Sequence, residues 1–156
     1  MDCDQQEKVL DSLLQLARNS SLAQVISKNV LIASHLVDIS SYANMSDELD
    51  NNEISIKTVQ LFMHLYDYHP FLIKVASQDF LLSFKDLVLS NLVTSNLLPI
   101  KSQELYMKAL LAITTACDDL SFISDPITMQ RLVKLISHEN LVISSSAVGI
   151  LVLALV

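Results

Sequence analysis

SQELYMKALLAITTACD, residues 102–118, and NLVISSSAVGILVLALV, residues 140–156, read as the same kind of helix displaced by thirty-eight positions. Setting Ala109, Leu110 and Ile113 beside Ala147, Val148 and Leu151 matches a small residue that lets helices approach with an apolar residue one turn later. Each stretch follows another amphipathic segment that ends on polar residues. Self-similarity at a period of roughly 20 to 50 residues marks stacked helical units. Each such unit leaves an apolar face that its neighbour must cover.

The rest of the chain agrees with an all-α reading. One Gly and three Pro among 156 residues leave few of the turn residues a sheet protein needs, and strict apolar–polar alternation is absent. Hydrophobic residues make up 51% and charged residues 17%, against roughly 25% charged in ordinary domains. That greasiness implies a surface covered by another protein or by further repeats. The net charge of −7 comes with ten scattered basic residues, so phosphate backbones and anionic lipid are poor partners and no nucleic acid is expected. Cys3 and Cys117 lie far apart, and Met1–Leu10 lacks a basic start followed by an apolar run; an intracellular setting is expected.

Along the chain, Asp4 and Glu7 have the spacing of a capping box, which predicts a first helix running to about Asn19. After Asn19-Ser20-Ser21, the apolar positions from Leu22 to Val37 predict a second helix. Residues 40–53, SSYANMSDELDNNE, read as an acidic mobile loop without the EF-hand pattern that calcium would need. A third helix is expected over about Ile54–Tyr68, a short one over Phe71–Ser77, and a longer one over Asp79–Asn91. The connector from Leu92 to Lys101 has no clean period, and Ser102 is the expected start of the next helix. Asp125-Pro126 is the strongest start signal in the chain, an N-cap followed by Pro where a missing amide costs nothing.

From Arg131, RLVKLISHENLVISSSAVGILVLALV resembles an armadillo repeat junction, and DFLLSFKDLVLSNL (79–92) followed by SQELYMKALLAITTACDD (102–119) resembles the same junction with a longer connector. The resemblance covers about Asp79–Val156; the first half is only loosely repeat-like, and HEAT-type pairs fit it as well. What it implies is a right-handed armadillo/HEAT-like α-solenoid formed by residues 1–156 as one domain. The expected role is a noncatalytic scaffold that carries other proteins. With no Trp, and no Asn ladder on Phe80–Asn91 or Ile127–Ser137, an apolar interface with a partner protein, a partner helix or a second copy fits better than an extended basic peptide.

No residue constellation points to chemistry. His64 and Asp67 stand one helical turn apart beside Tyr66 and Tyr68, but a third ligand and the His-Glu-x-x-His pattern are missing. His35 and His138 read as ordinary surface or helix-end residues. Two carboxylates beside Cys117, Asp118 and Asp119, disfavour a thiolate nucleophile. A lone glycine, Gly149, cannot build a phosphate loop. The expectation is therefore no enzyme activity, no cofactor and no metal.

The sixteen residues Leu141–Val156 carry no charge. A tail anchor is the rival reading, but the run is shorter than the roughly 20 apolar residues that cross a bilayer, and it begins with three serines near its start. A membrane is thus not the expected partner, and the chain reads as the first part of a longer stack. An apoptosis-regulator type of bundle, with an apolar last helix and a groove for an amphipathic helix, is the third reading. The partner surface is expected on Leu141, Ile143, Ile150, Leu151 and Leu155 together with Phe80, Phe84 and Leu87.

Overall fold

Asn19 decides where the first helix stops and the second starts. Its backbone leaves the helical region, and its side-chain oxygen accepts hydrogen bonds from the amides of Ser21 (3.0 Å) and Leu22 (3.3 Å), satisfying donors that a helix start leaves orphaned. The computed structural model describes residues 3–29, 31–32, 35–36, 49–68, 77–93 and 99–156. Among these there are seven α-helices, one short 3-10 turn and no strand. Two compact units result, Met1–Phe80 and Leu81–Val156.

In the first unit, α1 (Cys3–Ala17) packs on α2 (Ser20–Lys28) and α3 (Leu49–Leu65). The inward stripe of α1 ends on Leu10 and Ala17, which meet a core containing Ile26, Val59, Phe62 and Leu65, all buried. Phe62 also stacks edge to face on Phe80, with ring centroids 5.4 Å apart and planes at 86°. Glu7 does not fold back to cap its own helix as the Asp4–Glu7 spacing suggests. Instead, Glu7 and Asp11, neighbours on one face of α1, both grip Lys57 of α3, at 2.6 and 2.9 Å. Hydrogen bonds with Lys57 and then Glu53 hold the Glu7 carboxyl below its ordinary range. Burial works against the charge on Lys57, but the two carboxylates outweigh it and raise its pKa.

Two expected boundaries in this unit move. The second helix does not run unbroken from Leu22 to Val37: Asn29 ends α2 in an extended conformation, and its side chain accepts from the amides of Leu31 and Ile32, capping the turn beyond it. Asparagine competes for backbone donors in this way, which is why it interrupts an otherwise apolar helical pattern. Helix α3 starts at Leu49, inside the stretch expected to be a loop. Residues 40–48, and 71–76 of the expected Phe71–Ser77 helix, lie outside the described residues.

Helix α4 (Gln78–Val93) matches the expected Asp79–Asn91 closely and continues into the second unit. There follow α5 (Ile100–Ala116), the 3-10 turn Ser121–Ile123, α6 (Pro126–Ile136) and α7 (Leu141–Leu155). Helix α5 begins two residues before Ser102, with Pro99 at its N-cap and the Pro99 carbonyl accepting from the amides of Ser102 and Gln103. Helix α7 packs on both α5 and α6. Of the paired repeat positions, Ala109 and Ala147 are both buried, as are Ile113 and Leu151, but Leu110 is covered while its counterpart Val148 is 43% exposed. Gly149 makes room for the Leu111 side chain: a β-carbon at Gly149 would sit 3.1 Å from the Leu111 Cδ1.

The start of α6 is built as its sequence suggests. Asp125 caps it, one carboxylate oxygen accepting from the Thr128 amide at 3.0 Å and the other from the Thr128 hydroxyl at 2.6 Å. The same carboxylate receives the ammonium of Lys85 from α4 at 3.5 Å, and Asp86 lies 3.3 Å from that ammonium. Lys85 is buried, so Asp125 serves as helix cap and counter-ion together. Its carboxyl is held below the usual range chiefly by the Thr128 hydroxyl, against the opposing effect of burial.

Candidate interaction surface

The polar groups that could suggest chemistry are occupied structurally or dispersed. His64 and Asp67 are exposed at the end of α3, while the neighbouring Tyr68 hydroxyl donates to the Ser20 carbonyl at 2.9 Å and ties that end to the start of α2. No group of three metal-ligating side chains occurs among the described residues. His138 accepts the Asn140 amide at 3.0 Å, and the Asn140 side chain donates to Glu104 of α5 at 2.7 Å while capping α7 through the Ile143 amide. That cluster fastens the start of α7 to α5.

Cys117, just past α5, is half-buried. Burial first, then the Asp118 and Asp119 carboxylates, pushes its thiol pKa up. Because the thiolate is the nucleophile, Cys117 should react slowly with iodoacetamide near pH 8. Replacing both neighbours, Asp118→Asn with Asp119→Asn, should speed that alkylation several-fold, as followed by intact-mass spectrometry. An unchanged rate would leave burial as the whole cause.

Of the eight residues expected on a partner surface, the structure places six inside. Phe80, Phe84, Leu87, Ile143, Ile150 and Leu151 are all less than a tenth exposed, and they serve the cores of their units. Buried as they are, they offer no surface to a second protein. Leu141 and Leu155 are 80% and 75% exposed. Between them lie Val148 and Val152, which the sequence did not single out and which are half in water. With Ser145 they run 141, 145, 148, 152 and 155, the alternating four–three spacing of a helix seam that seeks another helix. The signal was present in that spacing but hidden, because α7 is apolar on every side.

The first unit holds a cavity of about 230 Å3 lined on α1 by Gln6, Val9, Leu10 and Leu13 and beyond α2 by Asn29, Leu31, Ile32, His35 and Leu36. No helix among the described residues is long and apolar enough to cross a membrane. At 15 residues α7 spans about 22 Å, short of the roughly 30 Å of hydrocarbon in a bilayer. Comparison with protein-family models, with curated proteins and with solved structures gives no match to this chain.

Proposed function

We propose that this chain is a noncatalytic interaction module of the armadillo/HEAT-like solenoid type and that it presents the outer flank of α7 to another protein. One observation carries this reading: a helix with no charged residue keeps Leu141, Val148, Val152 and Leu155 in water while its other sides are packed. Contiguous apolar surface of this kind is a cost to an isolated chain, and covering it returns about 25 cal/mol per Å2. The packing of α7 on both α5 and α6 agrees with stacked helix groups. The exposed flank of α7 speaks against the bundle reading, in which the apolar helix would be wrapped by the others.

The test is a chain carrying Val148→Asp and Val152→Asp, compared with the parent in affinity capture followed by mass spectrometry. Both positions are about half exposed, so helicity by circular dichroism should be unchanged. Proteins held by the parent should be lost from the variant. An identical captured set, with helicity preserved, would refute the assignment of the surface.

A further inference from the structure

We propose that the cavity of the first unit is a binding site for a small uncharged apolar molecule carrying one hydrogen-bonding group. The site is independent of the α7 surface. Two pieces of local structure build it. Positions 6, 9, 10 and 13 of α1 form one wall, the spacing of a single helix face. The other wall exists because Asn29 ends α2 and accepts the amides of Leu31 and Ile32, so that residues 31, 32, 35 and 36 line the same cavity. Leu10 and Leu36 are fully buried and form its floor, whereas Val9 and Leu31 are exposed and form its mouth.

Lining and volume together set the ligand class. Six of the nine lining residues are Val, Leu or Ile, and no Lys, Arg, Asp or Glu lines the cavity among the described residues. A charged ligand would give up its hydration there with no counter-ion to offset the cost, so the ligand is neutral. Gln6 on one wall and His35 on the other each bring hydrogen-bonding atoms to meet one polar group. An apolar cavity of about 150 Å3 takes benzene. At about 230 Å3 this one is half as large again, which suits a ligand of about nine heavy atoms. A partner helix would need a groove long enough for a row of anchors at i, i+4 and i+7, and this volume holds a single ring.

Indole is the probe, being neutral, of the right size and equipped with one N–H. The chain has no Trp, so indole fluorescence excited beyond the tyrosine band reports the probe alone. Titration of the 156-residue chain should give a saturable blue shift with one site and a dissociation constant on the order of 0.1–1 mM, in keeping with so few ligand atoms. Leu13→Phe fills the cavity and should weaken binding about tenfold or more with helicity unchanged. Val9→Phe, at an exposed position that the fold tolerates, should give the same loss. Indole-3-acetate should bind about tenfold more weakly than indole, because its carboxylate meets no cation. Val148→Asp with Val152→Asp should leave indole binding unaltered. No saturable shift would overturn the site, as would full affinity in both phenylalanine variants. Loss of binding in the α7 double variant would place the probe on that flank instead and overturn it equally, and equal affinity for indole-3-acetate would overturn the ligand class.

Discussion

Phe84→Ala is expected to lower the stability of residues 81–156 by about 3–5 kcal/mol, the range for deleting a buried aromatic ring and leaving a cavity behind. The ring is 1% exposed on α4, and an interior packed at crystal-like density closes over such a gap only in part. The loss is a large share of the roughly 5–15 kcal/mol that holds a domain together, so much of the variant should be unfolded at moderate urea. Leu155→Ala is the matched control. At 75% exposure it should shift the urea midpoint by no more than about 0.5 kcal/mol equivalent. A small effect at Phe84, or a large one at Leu155, would mean that the assignment of core and surface is inverted.

Asp125→Ala is expected to cost about 2–3 kcal/mol, assembled from the lost cap and the lost Thr128 hydroxyl bond, each worth about 1 kcal/mol, with the stranded Lys85 supplying the rest. The pair with Lys85 counts for less than its burial suggests, because the Asp125 side chain is 42% exposed and water screens it. Once the acid is gone, Asp86, itself half exposed, is the one carboxylate left beside Lys85 among the described residues. Lys85→Met in the Asp125→Ala background should therefore recover part of the loss, since removing both partners spares the penalty of a buried unpaired charge. The pH dependence has a fixed sign. A carboxyl whose folded pKa is depressed contributes stability that is present above its unfolded value of about 3.9 and disappears as pH falls through the lower folded value. Thermal melts from pH 6 to pH 2 should thus show a shallower acid limb in Asp125→Ala than in the parent. Parallel limbs would remove Asp125 from the account.

What could be read from the chain in advance was local. Asp125-Pro126 announced α6 because a cap and a proline act within one turn, and the last helix followed from a long uncharged, largely apolar run. Asn29 was missed because a single asparagine splits a helical pattern only by turning its side chain onto the next amides, which periodicity does not register. The start of α3 at Leu49 was missed because a charge-rich, apolar-poor stretch has the composition of a loop. The grip of Lys57 on Glu7 and Asp11 joins positions some fifty residues apart, and nothing in the local text announces it. The surface was the hardest part. A helix apolar on all sides gives no clue to which side is covered, and only the packing of α5 and α6 against α7 separates Ile143 and Ile150, inside, from Val148 and Val152, outside.

That separation is the claim on which the functional reading stands, and thiol labelling along α7 tests it directly. In a Cys3→Ser, Cys117→Ser background, single replacements Leu141→Cys, Ile143→Cys, Val148→Cys, Ile150→Cys, Val152→Cys and Leu155→Cys would be labelled at submicromolar concentration. Fast labelling at 141, 148, 152 and 155 with protection at 143 and 150 is the predicted pattern. Uniform rates, or protection at 148 and 152 with reaction at 143 and 150, would contradict it.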